Sequence, residues 1–166
     1  MVILGIDPGL AIVGWGVIDY AGSRFRTLGY GSIETPAGIE TPQRLLAIRR
    51  GMEALLKNYH PDQMAIEELF FTKNITTGIR VAEARGVILL AGAEADIPMA
   101  EYTPMQVKQA VVGYGLAEKR QVIAMVTKLL SLPAAPSPDD TADALAIAVC
   151  HAHTGCSRLA EYYNKN

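Results

Sequence analysis

The chain has 166 residues, half of them apolar and 19% charged. That length suits one domain able to bury about 70% of its unfolded surface, and the composition excludes a disordered or collagen-like chain. Fifteen basic residues against 17 acidic ones give a formal charge of −2, which excludes a polycation that grips nucleic acid by bulk charge alone. The longest uncharged stretch, Ala144 to Ser157, has 14 residues. A bilayer span needs about 20, so no membrane contact is expected. The opening Met-Val-Ile-Leu-Gly-Ile-Asp has no basic leader and reads as a strand rather than a signal peptide. Cys150 and Cys156 are then expected as free thiols in a reducing compartment, the cytoplasm.

Val2 to Ile6 is a continuous apolar run that stops at Asp7-Pro8-Gly9, as a central strand buried on both faces does. Ile12 to Ile18 and Arg24 to Ile33 form a hairpin pair around Gly22-Ser23. Pro42 to Tyr59 has helical period, with Leu45, Ile48, Met52, Leu55 and Leu56 on one face, Thr41 as N-cap and Pro42 in the first position. Gln63 to Ile66 is a short strand ending at Glu67-Glu68. Ile79 to Ala95 is an Ala-rich helix, and Ile97 to Tyr102 is a strand. Pro104 to Val112 and Glu118 to Leu130 are helices. After a Pro/Ala linker, Ser137 is expected to cap a last helix whose first position is Pro138. The order is that of one α/β domain, 1–166, with a mixed five-stranded sheet flanked by helices. The stretch 70–77 and the 133–138 linker are its expected mobile parts, and the last eight residues are expected to be a loosely ordered tail.

Four acids stand out by position. Asp7 closes the first strand and Glu67 the fourth, where parallel sheets present functional groups. Asp140 and Asp143 lie one turn apart on one face of the last helix. Asp143 sits beside the apolar stripe of Leu145, Ala146 and Val149, and the sequence offers no Lys or Arg between Lys128 and Arg158 to pair it. Ionised carboxylates on a buried face need a partner or a metal. An oxygen-only set suits Mg²⁺ or Mn²⁺, and two such ions about 4 Å apart activate water and stabilise the leaving oxygen of a phosphodiester. The alternative is structural: Asp7 capping the Pro-Gly turn, Asp139 or Asp140 capping the helix. Cys150, His151, His153 and Cys156 have the composition of a zinc site, but their spacing splays them around a helix and argues against one. Trp15 reads as a strand residue packed on the sheet, and Arg80 and Arg85 as solvating surface arginines, with a face toward nucleic acid as the alternative.

Several blocks resemble the RuvC family of bacterial Holliday-junction resolvases. They are Gly-Ile-Asp-Pro-Gly at 5–9, Ala-Ile-Glu at 65–67, Ala-Arg-Gly-Val at 84–87, Gln-Val-Lys-Gln-Ala-Val-Val-Gly at 106–113, Ala-Glu-Lys at 117–119, and Asp-Thr-Ala-Asp-Ala-Leu-Ala-Ile-Ala at 140–148. The resemblance covers nearly the whole chain. It implies the ribonuclease-H-like fold and a Mg²⁺-dependent endonuclease that resolves four-way junctions in recombination and repair, by paired symmetric nicks leaving 5′-phosphate and 3′-hydroxyl ends. It implies that Asp7, Glu67, Asp140 and Asp143 hold the metal, two ions per site, and that Lys108 and Lys119 meet DNA phosphates. Phe70 corresponds to an aromatic that stacks at the junction centre. Phe71, Lys73 and Arg120 are further expected DNA contacts. The implied partners are junction DNA, a second copy of the chain across the Ala-rich helix, and the branch-migration proteins RuvA and RuvB, in the bacterial cytoplasm. Another nuclease of the same fold acting on RNA–DNA hybrids, or a non-catalytic junction-binding module, are the rival readings. Setting the four acids aside leaves 13 acidic against 15 basic residues, and Thr103 to Pro133 carries Lys108, Lys119, Arg120 and Lys128 against Glu118 alone. The basic footprint is local.

Overall fold

A computed structural model describes residues 1–69 and 75–155. Strands β1 (Val2–Asp7), β2 (Ile12–Ala21) and β3 (Arg24–Glu34) come first. Helix α1 (Thr41–Tyr59), β4 (Gln63–Glu67), α2 (Ile75–Glu94) and β5 (Met99–Tyr102) follow, and then α3 (Pro104–Val112), α4 (Lys119–Leu129) and α5 (Asp139–Thr154). The sheet order is β3-β2-β1-β4-β5. β1 pairs antiparallel with β2 and parallel with β4, and β4 pairs parallel with β5. The hairpin half and the crossover half expected from the sequence therefore meet at β1, the central strand. The β2–β3 turn is Gly22-Ser23, both at positive φ (54° and 68°), the geometry whose twist matches that of paired strands.

Alternation along the strands divides the core in two. Leu4, Ile6, Val13, Val17, Met64 and Ile66 pack with Ile48 and Met52 of α1 and with Ala84 and Ile88 of α2. Ile3, Ile18 and Ala65 face the other way, onto α5, with α3 and α4 beyond it. Trp15 lies on the α1 side, its ring 5.7 Å from that of Tyr59. α5 is buried almost all round, from Thr141 to Ala152 apart from Asp143. The sequence suggested a single apolar stripe. A helix apolar on every side instead fills the middle of its layer, and Ala at 142, 144, 146, 148 and 152 keeps it thin enough to do so.

Several boundaries differ from expectation. Thr41 is the first residue of α1 rather than its cap. Glu40 holds the cap position, its carbonyl accepting from the N–H groups of both Gln43 and Arg44, so no side-chain cap is required. Pro138, not Ser137, precedes α5, and its carbonyl accepts from Thr141 N–H. α2 starts at Ile75, four residues early, and β5 starts at Met99, two residues late. Of the stretch expected to be mobile, 70–74 lie outside the described residues, as does the tail. Among the described residues no helix is long and apolar enough to cross a membrane.

α5 reaches the sheet because glycines line its path. Gly5 of β1 pairs with Gly16 of β2, and Gly14 of β2 with Asp7. A Cβ at Gly5 would fall on the carbonyl oxygen of Ala144, and one at Gly14 on that of Asp140. Gly5→Ala is therefore expected to lower stability by about 1–3 kcal/mol or more, read as an earlier urea midpoint. An unchanged midpoint would show that α5 does not sit this close.

Candidate active site

The alternation that puts Ile3 and Gly5 under α5 puts Asp7 on that same face, and in β4 it does likewise for Ala65 and Glu67. Register pairs Gly5 with Ala65 and Ile6 with Ile66. One step further, Asp7 and Glu67 end adjacent parallel strands. The first turn of α5 arrives over this edge, held by the Thr141 hydroxyl, which donates to the Gly31 carbonyl at 3.1 Å. It carries Asp140 and Asp143. Three elements thus bring all four expected acids within electrostatic reach of one another.

The cost of that gathering is visible at Asp7. Burial, then the negative charges of Glu67, Asp143 and Asp140, push its pKa from 3.8 up to about 8, against the opposing pull of Lys119. Glu67 is also raised, by burial first and then by Asp143. Lys119, the first residue of α4, is the counter-charge. Its ammonium lies 2.9 Å from Asp143 and 3.5 Å from Asp139. Desolvation works against its charge, but the hydrogen bond and charge of Asp143, with Asp139 behind them, raise its pKa overall. A cation at a helix N-terminus opposes the helix dipole, so Lys119 is placed for the acids and not for its helix. The absence of a nearby basic residue in sequence did not leave Asp143 unpaired, because α4 supplies one through space.

A cleft of about 190 Å³ opens here, lined by Glu67, Asp143, Lys108 and Lys119 over an apolar floor of Val107, Val122 and Ile147. Lys108 gets there because α3 begins at the end of β5 with a reciprocal cap. Thr103 Oγ1 accepts from Gln106 N–H at 3.1 Å, and Gln106 Oε1 accepts from Thr103 N–H at 2.8 Å. Asp140 lines the neighbouring groove beyond the cluster. Arg120 is not brought in: it is exposed and ion-paired with Glu118 at 2.7 Å. Phe70, Phe71 and Lys73 lie outside the described residues.

Sequence reasoning missed Arg85. Far from solvating the surface, its side chain is only 16% exposed. It forms an ion pair with Glu101 of β5, and its Nε donates to the Glu67 carbonyl at 3.4 Å. Its place in the Ala-Arg-Gly-Val block was the available signal. Two of the four residues with the composition of a zinc site have other surroundings. The His151 ring is engaged by the Tyr102 hydroxyl (2.8 Å) and Gln63 (2.5 Å), and burial raises the Cys150 thiol to about 11. Cys156 lies outside the described residues.

No three carboxylate, imidazole or thiolate side chains converge as a ready-made metal cage among the described residues. Asp143 is turned to Lys119 instead. The donor chemistry nonetheless fits a hard divalent cation: the four side chains offer oxygen alone, and a cation beside Asp7 would offset the carboxylate charge that, after burial, raises its pKa.

The model of one family, crossover junction endodeoxyribonuclease RuvC, matches residues 3–151. A crossover junction endodeoxyribonuclease RuvC of Alkaliphilus oremlandii is 56% identical over 155 residues, covering 93% of this chain and 94% of the relative. That of Brevibacillus brevis is 58% identical over 152 residues, covering 92% of each. The structure of T. thermophilus RuvC in complex with Holliday junction substrate superposes with a TM-score of 0.89 at 38% identity, over 93% of this chain and 94% of that one. The yeast mitochondrial Holliday junction resolvase Ydc2 shares the fold at 14% identity, with a TM-score of 0.67 over 98% of this chain and 83% of that one. The expected ribonuclease-H-like fold is the one observed. The chain belongs to the RuvC family of crossover junction endodeoxyribonucleases.

Proposed function

We propose that this chain is a structure-selective DNA endonuclease that resolves four-way junctions by paired symmetric nicks, leaving 5′-phosphate and 3′-hydroxyl ends. One observation carries the reading: three elements of a RuvC-family chain deliver four carboxylates to a single sheet edge, flanked by Lys108 and Lys119.

Asp7, Glu67, Asp140 and Asp143 would hold Mg²⁺, or Mn²⁺ in its place, as two ions. When bound, the metal supplies a water of lowered pKa and charge stabilisation at the phosphate. Lys119, held by Asp143 and Asp139 in the protein alone, is freed for a phosphate oxygen once the acids' charge is offset. Lys108, which lines the same cleft, would meet the same strand. The apolar floor of Val107, Val122 and Ile147 limits water on that side, which strengthens each of these charge contacts. Phe70 and Phe71, with Lys73, belong to the junction-contacting segment on this reading.

Two matched cuts require two sites, which a C2 dimer provides. The outer face of α2 supports such an interface. Ile79 and Leu90 are each more than half exposed, and Gly86 lies between them with open space where a Cβ would stand. RuvA and RuvB are the partners that would deliver the junction, in the cytoplasm.

Asp7→Asn and Glu67→Gln are expected to reduce junction cleavage in Mg²⁺ by roughly 10²–10³-fold or more, while junction binding in Ca²⁺ persists. Cleavage at wild-type rate by either variant would remove that acid from the site. A comparison of four-way junction, RNA–DNA hybrid and linear duplex should show cutting of the junction first, and preferential cutting of the hybrid would favour the rival nuclease.

The acids also imply a pH signature. The folded-state pKa of Asp7 is raised, so in metal-free protein its contribution is favourable below about pH 4 and is lost as pH rises through 8. Glu67 has the same sign. With EDTA present, Asp7→Asn should therefore gain in Tm over the wild type as pH rises from 4 to 8. Mg²⁺ at pH 8 should raise the wild-type Tm and narrow the gap. No advantage for Asp7→Asn at pH 8 would contradict the burial and crowding assigned to Asp7.

A further inference from the structure

Beyond the cluster from Lys108 and Lys119 lies a second depression of about 350 Å³, lined by the Gly9–Ile12 turn, Arg44, Thr77, Arg80, Val81 and Asp140. Its lining carries two guanidinium groups and one carboxylate, and that carboxylate is one of the four assigned to metal. Arg44 is fixed in place. Its Nε donates to Thr35 Oγ1 at 2.7 Å and an Nη to the Thr35 carbonyl at 3.3 Å. The Thr35 hydroxyl, itself 95% buried, donates onward to the Leu10 carbonyl at 2.5 Å. This chain ties the guanidinium to the turn that follows β1 and leaves its other Nη without a partner among the described residues. Arg80, one turn into α2, has no carboxylate partner among the described residues.

The four acids thus stand between two basic depressions, one with lysines and one with arginines. Asp143 borders the first and Asp140 the second, one helical turn apart. A single strand whose scissile phosphate lies over the acids places its neighbouring phosphates in these two depressions. We propose that Arg44 and Arg80 bind the phosphate of the cleaved strand next to the scissile one, on the side away from Lys108 and Lys119. Guanidinium forks suit this task, since they bind phosphate in a bidentate manner, and Leu10, Ile12 and Val81 offer an apolar wall to the adjoining sugar. The inference rests on the nuclease reading above; for Arg80 it reverses the solvating role that the sequence favoured, and it adds Arg44.

The test uses the full chain and four-way junction DNA carrying one methylphosphonate at a time around the cut site. Neutralising the proposed phosphate should weaken wild-type binding in Ca²⁺ roughly tenfold or more. Arg80→Ala should weaken binding to unmodified junction similarly and lower the slope of log affinity against log salt by about 1. That same methylphosphonate should cost Arg80→Ala little more, while others keep their full effect. Arg44→Lys, which retains the charge and loses the fork, should fall between, and an unchanged Tm separates binding from folding. If Arg80→Ala keeps the wild-type salt slope and its full sensitivity to every neutralised phosphate while the wild type cuts junctions in Mg²⁺, this inference falls alone. A wild type that leaves junctions uncut overturns the nuclease reading and this inference together.

Discussion

The seating of α5 on bare backbone is the constraint on which the rest of the structure depends. Gly5, Gly14 and Gly16 leave the middle of β1 and β2 without side chains on one face, and α5 answers with Ala144, Leu145 and Ala148. Glycine in a strand interior costs roughly 0.5–1 kcal/mol in each case, so three of them weaken the two strands they occupy. What they gain is proximity. With ordinary strand residues there, the helix would ride a side-chain layer higher, and Asp140 and Asp143 would leave the reach of Asp7. The fold gives up strand stability to set the height of one helix, and that height sets the site.

The site is then held under electrostatic tension. Local rules favour Asp139 and Asp140 at the positive end of α5 and disfavour Lys119 at the positive end of α4. Global packing keeps the first and overrides the second, because the two helix starts come together so that Lys119 meets Asp143 and Asp139. Disagreement of this kind between local preference and global arrangement is characteristic of functional positions. Around it the protein is conventional: two apolar layers, a capped α3, and an ion pair from Arg85 to Glu101 that ties α2 to the neighbouring strand.

Much of this was legible from residues near one another in the chain. The apolar run before Asp7, the Gly22-Ser23 turn and the Pro104 helix start each carry a local signal, and the positions of Asp7 and Glu67 followed from where their strands end. Pairings between distant elements were not legible. Nothing near residue 143 announces Lys119, and Arg85 looks like any helix arginine until β5 is beside it. The early start of α2 was not legible because Thr76, Thr77 and Gly78 are weak helix formers. The strand glycines were a different case. Glycine within a strand marks close backbone approach, but that these three share one face and lie under α5 emerges only from the register and the packing.

The chain order of the acids has a consequence for synthesis. Asp7 and Glu67 come early, whereas Asp140 and Asp143 sit on the last of the described helices. α5 is also the element that covers β1 and β2 on one whole face. A growing chain that has made only the sheet and its first helices holds half a site and an uncovered layer. Contacts spanning more than 130 residues form late and slowly. Closure of the four-carboxylate cluster and complete burial of the core therefore arrive in the same event.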